Sequence, residues 1–161
     1  MLDHDDDATV LPIFTGPLVL VVADDLTHRS IVTRMVRTLG FPVRGCSTST
    51  SALCFLRDHP RDTRLLLADL GLKRMDGGEL AERARDLDPE LRVLLMAAPG
   101  DPHVDDLLAG YHDLPFLSKP VHFGELAIVL ADMLGTPMSI SGQLRAVRRS
   151  PRQRTSGQHR A

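Results

Sequence analysis

Leu18-Val19-Leu20-Val21-Val22-Ala23-Asp24-Asp25 is a run of six apolar residues that stops on two acids. Six apolar residues suit a buried strand and fall far short of the roughly 18 that a membrane span needs. Downstream, residues 27–39 carry Ile31, Met35 and Leu39, and Val32 and Val36, at the i, i+4 spacing of a helix, with Gly40 to end it. The same alternation continues along the chain. Strands are expected at 41–46, 64–69, 91–97 and 114–117, and helices at 50–58, 77–87, 104–109 and 122–134. Pro89 closes the third helix, and the fourth helix has the weakest pattern.

Five strands joined by right-handed crossovers predict an α/β fold, an open, doubly wound parallel sheet with helices on both faces. Such sheets bind ligands at the carboxyl ends of their strands. Asp24 and Asp25 follow the first strand, Asp69 ends the third, Ala97 ends the fourth and Lys119 follows the fifth. These positions converge on one edge. Three carboxylates and an ammonium there are costly unless a cation sits among them, and carboxylate oxygens with water suit Mg²⁺ or Mn²⁺.

Four motifs occur in order: Leu-Val-Leu-Val-Val-Ala-Asp-Asp at 18–25, Leu-Leu-Leu-Ala-Asp at 65–69, Met-Asp-Gly at 75–77 and Phe-Leu-Ser-Lys-Pro at 116–120. Each is weak alone, and the ordered set is specific. Over residues 18–134 it resembles the receiver domains of two-component response regulators. The resemblance implies a flavodoxin-like (βα)5 sheet of strand order 2-1-3-4-5. It makes Asp69 the phosphoacceptor and Lys119 the lysine that contacts the phosphoryl group. Asp24, Asp69 and the Gly71 carbonyl become the metal ligands, with Asp25 a further candidate. Positions 97 and 116, here Ala97 and Phe116, become the switch pair. A cis bond between Lys119 and Pro120 is implied as well.

The residue types suit that chemistry. A carboxylate can attack phosphorus in line to give an acyl phosphate, and the surroundings then position the donor and neutralise its oxygens. Two alanines depart from the family pattern. Ala23 stands where an acid usually precedes the metal-ligating aspartate, and a one-residue shift to Asp25 re-aims the side chain. Ala97 replaces a Ser or Thr whose hydroxyl normally bonds the phosphoryl group. A module with these losses also fits a different function, a degenerate receiver that binds a partner without phosphorylation.

Plainer readings stand beside each assignment. Asp24 or Asp25 alone is better read as a helix cap, Lys119 alone as a surface lysine, Phe116 as a core aromatic, and Gly77 and Gly78 as a turn. Met75, Met96 and Met133 read as core filler. None of the seven histidines is assigned to metal or catalysis. An FMN carrier would want a Ser, Thr and Gly loop where Asp24 and Asp25 would repel its phosphate. An aspartyl phosphatase of the haloacid-dehalogenase kind would place a second Asp where Gly71 stands.

Composition sets the outer bounds. With 161 residues, 43% hydrophobic and 25% charged, the chain has the length and make-up of one globular domain. Its net charge of −2 hides opposite ends. Asp3, Asp5, Asp6 and Asp7 lie in an expected flexible leader, 1–17, and the receiver is expected at 18–135. Arg145, Arg148, Arg149, Arg152, Arg154 and Arg160 lie in an expected disordered tail, 136–161. Without interleaved aromatics that tail is weak evidence for a nucleic-acid partner. Cys46 and Cys54 are read as reduced, structural residues, and the address is cytoplasmic by default.

The expected protein is a stand-alone receiver. It would be loaded by a histidine kinase or phosphotransfer protein and would signal to an unidentified protein through contact, with no membrane partner. A homodimer is left open. Any catalysis is confined to self-phosphorylation and self-dephosphorylation at Asp69. Neither leader nor tail is expected to join the core.

Overall fold

A computed structural model of the protein describes residues 16–135. All of the expected basic tail, and the expected acidic leader apart from Gly16 and Pro17, lie outside the described residues. The elements alternate as β1 (Leu18–Val22), α1 (Leu26–Thr38), β2 (Val43–Cys46), α2 (Ser49–Asp58), β3 (Thr63–Asp69) and α3 (Gly77–Leu87). They continue as β4 (Arg92–Ala97), α4 (Pro102–Gly110), β5 (Phe116–Ser118) and α5 (Phe123–Leu134). All four pairings are parallel, in the order β2-β1-β3-β4-β5. Both the fold class and the strand order expected from the sequence are observed.

Period-two alternation divides the apolar strands between two cores. Leu20, Val22, Leu66, Ala68, Val93 and Leu95 face α2, α3 and α4, where Ala52, Leu56, Leu80 and Ala84 meet them. Val19, Val21, Leu65, Leu67, Leu94 and Met96 face α1 and α5, against Val32, Val36, Leu126 and Leu130. This is why β1 and β3 read as unbroken apolar runs: both faces are covered. Burying one leucine fully is worth about 1.5–3 kcal/mol, more than the ~1 kcal/mol of a typical helix cap. Packing against the sheet, rather than capping, therefore fixes where the strand ends sit.

Element boundaries move where a specific residue intervenes. Pro42 delays β2 to Val43, although Phe41 is still buried. Pro115 brings no N–H to the ladder, so β5 starts at Phe116 and Leu95 N–H bonds to the Pro115 carbonyl instead. At α4, Asp101 caps the helix and Pro102 opens it, which makes the helix longer than its weak apolar pattern suggested. Cys46 is buried, as a structural residue should be, but Cys54 faces out from α2 and the structural reading fails there. Met96 is fully buried, and Met75 and Met133 pack against the cores.

Candidate phosphoacceptor site

Register brings the expected residues to one edge. Val22 pairs with Ala68, Asp69 with Met96, and Ala97 with Ser118, so Asp24, Asp69, Ala97 and Lys119 all lie at the carboxyl ends of neighbouring strands. Asp69 is the most enclosed carboxylate there, 5% exposed. Its Oδ2 pairs with the Lys119 ammonium, and its Oδ1 accepts from the Gly71 N–H at 3.2 Å. Leaving one partner of a buried ion pair alone costs several kcal/mol, so these two donors are what compensate the burial of Asp69. Lys119 is itself anchored by its backbone N–H, which bonds to the Ala97 carbonyl at 2.7 Å; the Lys119–Pro120 bond is cis.

The Met-Asp-Gly segment has a local explanation. Ser49 Oγ donates to the Met75 carbonyl at 2.9 Å. Asp76 caps α3 by accepting from the Glu79 N–H at 2.9 Å. At Gly77 a Cβ would run into the Asp69 carbonyl oxygen and lie 2.9 Å from Leu70 Cα, so only glycine fits. The Gly77 N–H bonds to the Leu70 carbonyl at 2.9 Å, closing the loop that starts at Asp69.

On the β1 side, the two acids separate in role. Asp25 caps α1: its Oδ1 accepts from the His28 N–H at 2.8 Å, and this bond holds its carboxyl below the ordinary aspartate value. Its side chain is thus committed to the helix, as the capping reading proposed. Asp24 is exposed at the edge. Ala23 is fully buried, and Arg29 Nη1 donates to its carbonyl at 2.7 Å. Ala97 is buried, whereas Phe116 is 42% exposed and is no core aromatic.

Metal fit follows from this arrangement. Among the described residues, no three His, Cys, Asp or Glu side chains converge as a ready metal site. Ala23 contributes no carboxylate and Asp25 is turned to its cap. Asp24, Asp69 and the Gly71 carbonyl remain, which matches the sparse protein ligation that Mg²⁺ accepts when water and phosphate complete its shell.

Sequence reasoning missed His28 and Arg29 as neighbours of the site. Burial, and then the Lys119 charge, push the His28 imidazole below its ordinary value, while Asp69 and Asp25 pull it the other way. Its Nε2 is buried and finds no hydrogen-bond partner among the described residues. The signal was present: a residue three past an N-cap sits in the first helical turn, beside whatever the cap borders.

Known proteins share this architecture and part of this sequence. A family model for the response regulator receiver domain matches residues 19–131. The transcriptional regulatory protein ZraR of Klebsiella oxytoca is 32% identical over 118 residues, which is 72% of this chain but 26% of that protein. The response regulator receiver protein CpdR of Brucella abortus is 29% identical over 116 residues, covering 72% of this chain and 95% of CpdR. Among solved structures, the receiver domain of a sensor histidine kinase from Pseudomonas aeruginosa superposes with a TM-score of 0.66 at 20% identity. That match covers 75% of this chain and 99% of the other, whose structure has magnesium coordinated in the active-site cleft. Among the described residues, no helix is long and apolar enough to cross a membrane.

Proposed function

Because the chain belongs to the response regulator receiver domain family, we propose that Asp69 accepts a phosphoryl group from a histidine kinase or phosphotransfer protein and that the domain signals through protein contact. The observation that carries this reading is the Asp69 carboxylate itself, enclosed at the end of β3 with Lys119 on one oxygen and the Gly71 N–H on the other. Such a group is held in one orientation with a cation already beside it, which is what in-line attack on a phosphoryl donor requires.

In the step, an Asp69 oxygen forms the new bond to phosphorus while the donor's P–N bond breaks, and the electron pair leaves with the donor imidazole. Asp69 then no longer holds a full carboxylate charge. Lys119 keeps a partner because the phosphoryl oxygens now carry the negative charge within its reach. A hydrogen bond to a charged group is worth about 1.5–3 kcal/mol, so the transfer of this pairing holds the adduct in place. Asp24, Asp69 and the Gly71 carbonyl would hold Mg²⁺ or Mn²⁺. A bound cation would neutralise the remaining phosphoryl charge.

Output is assigned to the face of α4, β5 and α5, where Phe116, Phe123 and Ile128 are 42%, 45% and 60% exposed. CpdR, named a response regulator receiver protein, is matched over 95% of its length. A second reading is favoured by Ala23 and Ala97, one removing a carboxylate and the other a hydroxyl from the site: a receiver that binds its partner without phosphorylation.

Intact-mass measurement after incubation with acetyl phosphate and Mg²⁺ separates the two. One added phosphate is expected on wild type, and none without the metal or in Asp69→Asn. An adduct that persists in Asp69→Asn would overturn the assignment. A wild type that stays unmodified would favour the second reading.

A further inference from the structure

Tyr111, the residue that closes α4, lies with its ring directly on Gly78 in the first turn of α3. A Cβ built at Gly78 would collide with that ring, so the missing side chain at 78 and the large one at 111 are complementary. The Tyr111 hydroxyl sits beside the Asp76 carboxylate, and burial, then the Asp76 and Glu82 charges, push its phenol above the ordinary value. Gly78 follows Gly77, which is pressed on the Asp69 carbonyl and bonded to Leu70. Leu114 N–H in turn bonds to the Tyr111 carbonyl at 3.0 Å, just before β5. Contact is therefore continuous from the backbone of Asp69, through the two glycines, to the end of α4.

We propose that Tyr111 is a positioning residue of this site, seated on Gly78 so that it ties α4 to the loop carrying Gly71 and passes the state of Asp69 to α4. The inference rests on the phosphoacceptor reading of Asp69. It supplies a route that does not use a hydroxyl at position 97, which Ala97 lacks. The route works because Gly78 offers no side chain of its own. Any shift of the α3 first turn moves the surface on which the ring stands, and packed contacts of this kind respond in discrete steps rather than by stretching.

The test uses the full chain and three variants: Tyr111→Ala, Gly78→Leu, and the two combined. Adduct formation is read by intact mass, and the response by amide shifts of residues 102–110 before and after phosphorylation. Tyr111→Ala should still take the phosphoryl group, yet its response should fall at least threefold. The double variant refills the space from the α3 side. It should recover the melting temperature lost in either single variant, but not the response, which distinguishes positioning from mere packing. A wild-type response in the double variant would overturn the inference. If wild type takes no phosphoryl group, the phosphoacceptor reading fails on the mass alone, and the seat is then read in unmodified protein. There, Tyr111→Ala must move the Gly71 and Gly77 amide resonances, and unmoved resonances would overturn the inference too.

Discussion

Between β3 and α3 the chain is tied from several directions. Between β4 and α4, Ala98, Pro99 and Gly100 stand exposed. In the first turn Gly71 bonds to Asp69, Met75 to Ser49 and Gly77 to Leu70, and α3 then buries Gly77, Gly78, Leu80, Ala81 and Ala84. In the second, Gly100 N–H reaches the Asp105 carboxylate at 3.0 Å, and α4 has no buried residue. Both turns border the same site. The contrast is one of restraint: the turn beside Asp69 is over-determined, and the one beside Ala97 is drawn from the weakly held end of the structure.

The sharpest way to break this contrast is to add one methyl group to each turn. Gly77→Ala places a Cβ against the backbone of Asp69, with no flexible neighbour to yield, and should cost about 3 kcal/mol. Gly100→Ala meets open space and bears only the strain of φ +103°, about 1–2 kcal/mol. Urea unfolding of the two variants would measure both losses. Equal losses would mean the turns are held alike.

A second change acts on coupling. Ala97→Thr returns a hydroxyl to the end of β4, and a bond from it to a charged phosphoryl oxygen is worth about 1.5–3 kcal/mol, comparable with a typical coupling free energy of ~1–3 kcal/mol. Amide shifts around Phe116 and α5, with and without beryllofluoride, should enlarge in the variant. A full two-state shift in wild type that Ala97→Thr leaves unchanged would show the hydroxyl to be dispensable.

The smallest expected effect is at Ser49, whose hydroxyl is the tie from α2 to the β3–α3 turn. Ser49→Ala leaves the Met75 carbonyl short of one partner and should cost about 1 kcal/mol. Faster amide exchange confined to residues 70–78 should accompany it. Unchanged exchange there would remove this tie from the account.

How much of this was legible in the sequence follows from the range of each interaction. The apolar runs at 18–23 and 65–68 could be read because burial on both faces leaves no polar interruption within them. The convergence of Asp24, Asp69 and Lys119 could be read because parallel sheets send all their strand ends to one edge. Asp25 as a cap was readable from local geometry. The start of β5 was not, since Leu114 is buried without joining the ladder and Pro115 cannot donate to it. The Tyr111–Gly78 contact was beyond reach: neither residue is unusual locally, and their complementarity exists only once α3 and α4 lie side by side. The place of His28 beside the site could be read from its position three past the Asp25 cap, whereas the Asp69 and Lys119 charges that reach it come from β3 and the segment after β5.

The sheet ends on its two shortest strands, four residues in β2 and three in β5. An open edge offers unpaired amide and carbonyl groups to any other extended chain, and aggregation by strand addition starts there. The long apolar strands β1, β3 and β4, which would be the most adhesive templates, are all paired on both sides. Val43, Arg44 and Gly45 at one margin put a charge and a glycine where a foreign strand would dock, and three residues at the other give it almost nothing to grip. The strand order thus keeps the most adhesive strands where no other chain can add to them.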